Sequence, residues 1–302
     1  MSKLCEGRVV VVTGAGQGIG REHALAFAAE GAKVVVNDIG ASLDGSERQG
    51  GAAQAVVDEI LASGGTAVAN TDDIADWAGA ESLIQQAVSE FGDLHVVVNN
   101  AGILRDRMFV SSTESEWDAV LRVHLKGHVA TARHAAAYWR QQTKAGNTVT
   151  GRIINTSSGA GLQGSVGQAA YSTAKAGIAA LTLVQAAELG SYGVTANAIA
   201  PAARTRMTEA VFADMMAKPE GGFDAMDPAN VSPLVVWLGS VESADVTGRV
   251  FEVQGGQITL SDGWRPGSTV DQQAKWEPAE LAPVIKRLIS DAPAPLKAYG
   301  AR

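Results

Sequence analysis

Four consecutive valines, Val9 to Val12, run straight into Thr13-Gly14-Ala15-Gly16-Gln17-Gly18-Ile19-Gly20, and a helix-forming stretch follows. A β-branched run of that length suits a strand buried on both faces. Glycines directly after it let the backbone turn sharply, and the free N–H groups at the start of the next helix favour an anion. Strand, glycine turn and helix in that order open a βαβ unit that receives a dinucleotide at its pyrophosphate. Such a unit commits the chain to a parallel sheet, because parallel neighbours need a long crossover that a helix supplies.

The rest of the chain keeps the same rhythm. Short Val/Ile-rich runs at 9–12, 34–36, 66–69, 94–98, 152–155, 194–199 and 250–253 alternate with helical stretches near 19–30, 52–62, 78–91, 114–141, 168–189 and 232–239. Right-handed crossovers between them give an α/β fold, a doubly wound (Rossmann) parallel sheet of about seven strands. Three stretches interrupt it: a loop at 40–51 rich in Gly, Ser and charge, a polar connection at 144–150, and a proline-rich end. The expectation is a single domain over residues 1–265 and a C-terminal extension over 266–302 with one short helix at 278–290.

Composition excludes some partners. A formal charge of −8 leaves no global basic field to draw in nucleic acid. No apolar run is long enough for a signal segment or a membrane span, so a cytoplasmic protein without a membrane partner is expected. Cys5 is the single cysteine, which rules out an intramolecular disulfide; it reads as a surface thiol near a mobile N-terminus. No metal-ligand set is expected.

Asp38 follows the second strand, about 20 residues past the glycine turn. A carboxylate there accepts both ribose hydroxyls of NAD and repels the 2′-phosphate of NADP. Arg21 is the opposing candidate, able to pair with such a phosphate, but it lies inside the first helix. NAD is therefore the expected cofactor. Asp72 and Asp73 end the third strand and Asn99-Asn100-Ala101-Gly102 the fourth. Ligands of doubly wound sheets bind at the C-terminal ends of the strands, so these positions converge on one crevice.

Tyr171 and Lys175 are four residues apart in a helical stretch and share one face. An ammonium beside the phenol, joined by an oxidised nicotinamide, favours phenolate and lowers a pKa that is ordinarily near 10. Tyr171 then exchanges a proton with an alcohol while hydride passes to or from the nicotinamide.

The spacing from Gly14 to Gly18 to Gly20, the Asn99–Gly102 string and the Tyr171/Lys175 pair together resemble the short-chain dehydrogenase family. The resemblance implies that Gly14, Gln17, Gly18, Ile19 and Gly20 form the pyrophosphate turn. It places Asp72 or Asp73 with Ile74 at the adenine, and Asn99, Ala101 and Gly102 in the cofactor crevice. Lys175 would also hold the nicotinamide ribose. Ser158, thirteen residues before Tyr171, matches the family's serine that holds the substrate oxygen, with Ser157 as the weaker candidate. Ile199 and Pro201 correspond to the turn beside the nicotinamide, although Ala202 stands where relatives have glycine. Thr205 corresponds to a cofactor-contacting threonine, and residues 204–222 to a mobile substrate flap. Many relatives carry an Asn where His124 stands; His124 either relays protons through its ring or leaves that work to its backbone carbonyl.

Several strings point to one branch: Val36-Asn37-Asp38, Asn99 to Arg107, Arg122-Val123-His124-Leu125, Gly167-Gln168 and Arg206-Met207-Thr208. Over residues 4–265 they resemble the (3R)-hydroxyacyl-CoA dehydrogenase unit of peroxisomal multifunctional enzyme type 2 and its free-standing bacterial relatives. That implies oxidation of a (3R)-hydroxyacyl-CoA by NAD, with Arg105, Arg107, Arg204 and Arg206 as candidates for the CoA phosphates. For any single arginine of the four, a surface ion pair is the competing role. The alternatives are a dehydrogenase of a free steroid or another hydrophobic secondary alcohol, and a ketoacyl-thioester reductase using NADPH, which Asp38 argues against. A non-catalytic NAD-binding sensor could dispense with Tyr171, Lys175 or Ser158, yet all three are present. The family usually assembles through the helices here at 114–141 and 168–189, so a homodimer or homotetramer is expected.

Overall fold

The computed structural model describes residues 3–42, 44–46, 50–209, 216–261 and 263–301. Parts of the expected loop at 40–51 and of the expected flap at 204–222 lie outside the described residues.

Seven strands form where the apolar runs predict them. They are β1 (Val9–Thr13), β2 (Lys33–Asn37), β3 (Thr66–Asn70), β4 (Val96–Asn99), β5 (Gly151–Thr156), β6 (Val194–Ala202) and β7 (Val250–Gln254). All seven are parallel, in the order β3-β2-β1-β4-β5-β6-β7. The order reverses between β1 and β4, and a crevice opens outside the strand ends at such a reversal.

The two faces of the valine runs account for the two layers of helices. Val10, Val12, Val34 and Val36 pack on one side with Phe27 of α1 (Gly18–Ala29) and Val56 of α2 (Ala52–Ala62). Val9, Val11 and Val35 pack on the other with Leu83 of α3 (Trp77–Phe91). Each such side chain, buried in full, contributes about 1.5–3 kcal/mol.

The long helical stretch at 114–141 is not uniform. A capping box of Thr113 and Glu116 starts α4 (Glu114–Leu121), a π-helical turn spans Arg122–Lys126, and α5 (Gly127–Lys144) continues from it. Beyond β5 a short helix absent from the sequence prediction, α6 (Gly159–Gln163), precedes α7 (Ala169–Leu189). Then follow α8 (Arg206–Glu209) and α9 (Ser232–Gly239), the latter burying Val235 and Leu238 with α1.

One expectation is extended and one corrected. Among the described residues an eighth strand joins the seven parallel ones: β8 (Gln257–Ser261) runs antiparallel to β7 at the edge. A half-polar, exposed run carries no buried-strand signature; its signal is the Gly255-Gly256 turn that closes the hairpin from Gln254 to Gln257. Cys5 is not a surface thiol: it is fully buried with its Sγ 3.6 Å from the carbonyl of Val236, and burial raises its pKa to about 11.

The C-terminal stretch carries α10 (Leu281–Ser290), which buries none of its residues. Past it the chain returns to the domain, where Tyr299 pairs with Ser165 in a single parallel bridge. Among the described residues no helix is long and apolar enough to cross a membrane.

Candidate active site

A cleft of about 380 Å³ opens at the C-terminal ends of β1, β2 and β4, lined by Gly14, Gln17, Gly18, Ile19 and Gly20 together with Asn100, Ala101 and Gly102. The glycine turn is stapled to the end of β4. Asn100 donates from Nδ2 to the carbonyls of Thr13 (3.0 Å) and Gly14 (3.1 Å), while the Thr13 hydroxyl accepts from the amides of Asn100 and Ala101. A side chain at Gly20 would collide with the Gly14 carbonyl and with Asn100, so the close approach requires glycine there. A Cβ on Gly18 would stand 3.6 Å from the Thr205 side chain, which lines the same cleft. The side chain of Asn99 goes elsewhere than expected. It is fully buried and donates to Asn155 Oδ1 at 3.0 Å, inside the sheet.

Asp38 lines the cleft at the end of β2, its carboxylate accepting from the amides of Gly16 (2.8 Å) and Gly40 (2.7 Å). One oxygen is thereby held to the glycine turn and the other to the loop after β2. Arg21 is committed elsewhere: it forks onto both oxygens of Glu59, at 2.7 and 2.6 Å, and also pairs with Glu22. Of the two adenine-side candidates, Asp73 lines the cleft with Ile74. Asp72 turns its carboxylate to the amide of Asn70, at 2.9 Å. Asp73 also accepts from Arg122, at 2.9 Å, which ties the cleft wall to the π-helical turn. Over the cleft, Arg105 donates to the carbonyl of Asp44 at 2.7 Å and so clasps the loop after β2.

The chemistry-bearing side chains come from the far end of the same cleft. Lys175 is buried in α7 and donates from Nζ to the carbonyl of Thr156 at 2.7 Å. Desolvation of the ammonium lowers its pKa to about 7. The same Nζ lies 5.5 Å from the centroid of the Tyr171 ring. Ser158 caps α6, and its hydroxyl hydrogen-bonds to Tyr171. Ser157 lines the cleft, but its buried hydroxyl donates to the carbonyl of Lys175 at 2.8 Å.

The phenol behaves differently from expectation in the protein alone. Its pKa is raised, by burial first; the bond from Ser158 works against this and the charge of Asp106 with it. Lys175 sits over the ring face and is itself easily deprotonated, so it does not offset the burial.

His124 lies in the π-helical turn, buried. Such turns commonly mark functional sites, because they re-aim side chains out of the helical register. Its Nε2 meets the main chain of Ile103, either accepting from N–H (3.1 Å) or donating to C=O (2.8 Å) according to tautomer. Burial, helped by the charge of Lys175, brings its pKa down to about 3, so the ring is neutral at ordinary pH. Gly102 is glycine for this reason, since a Cβ there would run into the imidazole.

The remaining candidates divide. Pro201 and Thr205 line the cleft, whereas Ile199 is fully buried in β6. Arg105 and Arg206 line it as well. Arg204 is not placed for a CoA phosphate: it pairs with Asp224 and donates to the carbonyl of Met216 at 3.1 Å, bracing the loop past β6. Arg107 pairs with Glu116 at 2.9 Å.

This arrangement agrees with what the chain is similar to. A family model described as short chain dehydrogenase matches residues 8–216. The chain is 48% identical over 287 residues to hydroxyacyl-CoA dehydrogenase ChsB1 of Mycobacterium tuberculosis, covering 93% of this chain and 88% of that protein. It is 45% identical over 253 residues to peroxisomal multifunctional enzyme type 2 of Mus musculus, covering 84% of this chain and 32% of the longer mouse protein. A crystal structure of a short chain dehydrogenase from Mycobacterium avium superposes with a TM-score of 0.90 at 66% identity, covering 99% of this chain and 100% of that one.

Proposed function

The chain belongs to the short-chain dehydrogenase family, oxidoreductases that act on CH–OH groups with NAD or NADP, and from that premise we propose that it oxidises a (3R)-hydroxyacyl-CoA to the 3-ketoacyl-CoA with NAD. The observation that carries the reaction is that Tyr171 and Lys175 line one end of a cleft whose other end presents Asp38, with the Ser158 hydroxyl beside the Tyr171 phenol. The substrate class is supported by the 48% identity, over most of both chains, to a protein named as a hydroxyacyl-CoA dehydrogenase. The preference for NAD is supported by Asp38 in the cleft and by the engagement of Arg21 with Glu59. A cytoplasmic homodimer or homotetramer fits the family's habit.

NAD, when bound, supplies the hydride acceptor. Gly14 to Gly20 would receive its pyrophosphate at the N-terminus of α1, Asp38 would hold its adenosine ribose, and Asp73 with Ile74 would flank the adenine. Lys175 has N–H groups beyond the one given to Thr156 and can hold the nicotinamide ribose. Ser158 Oγ donates to the substrate oxygen and fixes the carbon that loses hydride. In the protein alone burial keeps Tyr171 protonated. Beside an oxidised nicotinamide the added positive charge would favour phenolate, whose Oη would then accept the hydroxyl proton as the C–O bond becomes a carbonyl. In the reverse direction the same phenol returns the proton. His124, neutral and bonded to Ile103, holds the Tyr171 ring from its edge. Arg105 and Arg206 are the arginines left to meet a CoA phosphate.

The test is reduction of NAD by the purified protein, followed by nicotinamide absorbance, with paired (3R)- and (3S)-hydroxyacyl-CoA substrates. Turnover of the 3R form alone is expected. Silence with both forms, together with activity on a free steroid or simple alcohol, would discard the thioester; faster turnover with NADP would discard the cofactor assignment.

A further inference from the structure

We infer that the C-terminal hook, residues 298–301, belongs to the substrate side of the active site, and that Tyr299 is a positioning residue for Ser158. The hook forms an extra strand-like contact on the turn between α6 and α7: Val166 donates to the carbonyl of Tyr299 at 2.8 Å, and Tyr299 donates to that of Gly164 at 3.0 Å. Ala298 Cβ lies 3.5 Å from where a Cβ on Gly164 would stand, and a Cβ on Gly300 would stand 3.5 Å from that of Val166, so the hook lies along both residues of the turn.

The opposite side of the same turn is pinned as well. Arg107 donates to the carbonyl of Gly167 at 2.8 Å, and Gln168 donates to Asp106 at 2.8 Å. The turn that joins the helix capped by Ser158 to the helix bearing Tyr171 is therefore held between the segment after β4 and the end of the chain.

Tyr299 grips α6 at both ends. Its phenol lies against Gly159, where a Cβ would stand 2.7 Å from Oη and 3.2 Å from the ring. The phenol oxygen accepts a hydrogen bond from Gln163, the last residue of α6. A helix of five residues has little of its own to fix its direction, and Ser158 caps it. Tyr299 thus sets where the Ser158 hydroxyl points, without touching the cofactor side. α10, between the domain and the hook, buries none of its residues, so what this stretch gives the site is concentrated in the hook.

The inference rests on the reading that Ser158 holds the substrate oxygen. It is tested with Tyr299→Ala and Tyr299→Phe in the full chain, and with a chain ending at Leu296. The assay uses whichever secondary alcohol the parent turns over best, so a wrong substrate class shows in the parent and a wrong role for Tyr299 only in the variants. Misplacing a reacting group by an ångström costs up to about 100-fold. Tyr299→Ala and the shortened chain are expected to lose about 10- to 100-fold in kcat/KM, with the affinity for NAD within about twofold and Tm nearly unchanged. Tyr299→Phe keeps the ring on Gly159 and should recover most of the loss. Gly159→Ala should cost less in the Tyr299→Ala background than in the parent, because the new methyl then has room. Parental kcat/KM in Tyr299→Ala would overturn the inference. So would a loss matched by an equal fall in NAD affinity or by a collapse of Tm.

Discussion

The imidazole of His124 meets the ring of Tyr171 edge to face, with centroids 5.2 Å apart and planes at 89°. Buried and bonded to Ile103, His124 is neutral where the enzyme works, since its pKa lies near 3. It fixes the phenol's position as a brace. His124→Gln keeps an uncharged side chain that can still bond the main chain. What it loses is the edge-to-face ring contact with Tyr171, worth about 0.5–1.5 kcal/mol, so a fall of about two- to tenfold in kcat is expected. The shape of the pH profile between 5.5 and 8 should not change. Disappearance of a limb near pH 6.5 in the variant would show instead that His124 titrates during turnover.

Lys175 gives a stability prediction with a definite sign. Its folded pKa of about 7 lies well below its ordinary value of 10.5, so between those values the unfolded chain binds a proton that the folded protein has lost. Stability from this group therefore rises with pH across that window, and the penalty is full below pH 7. Lys175→Met removes the penalty. The variant's Tm should exceed the parent's most at pH 6, and the gap should narrow steadily toward pH 10. A gap that widens with pH would contradict the desolvated ammonium.

In the proposed reading Asp38 sets the choice of cofactor through charge. Replacing it with Ser removes the carboxylate that the amides of Gly16 and Gly40 aim into the cleft. The ratio of kcat/KM for NAD over NADP should fall about tenfold or more, because a like-charge contact costs several kcal/mol. Adding Glu59→Gln, which frees one tie on Arg21, should lower the ratio further. An unchanged ratio in Asp38→Ser would mean another group discriminates.

The strands that carry the site were legible in the chain, because Val9 to Val12 and their counterparts are buried on both faces and so lack polar interruption. The pairing of Tyr171 with Lys175 follows from helical spacing alone. Other features depend on contacts that no local pattern encodes. Asn99 and Asn100 are indistinguishable in the chain, and only the strand's alternation sends one into the sheet toward Asn155 and the other to the glycine turn. Ser157 and Ser158 separate the same way. Arg204 reads in the chain as either a phosphate ligand or half of an ion pair, and only the fold, which brings Asp224 to it from twenty residues on, decides for the pair. β8 escaped because an exposed edge strand needs no apolar run. The depressed pKa of Lys175 is a property of burial, which the motif does not report.

The most direct test of the account is Tyr171→Phe, with turnover and NAD affinity measured on the same preparation. The phenyl ring keeps its packing against His124 and beneath Lys175 and loses only the hydroxyl that Ser158 addresses. Removing a general acid–base of this kind costs about 10²- to 10⁴-fold. The account predicts a fall of that size in kcat, with NAD binding within about twofold of the parent. Near-parental turnover would remove Tyr171 as the proton-transferring group and with it the assignment of this end of the cleft as the catalytic centre.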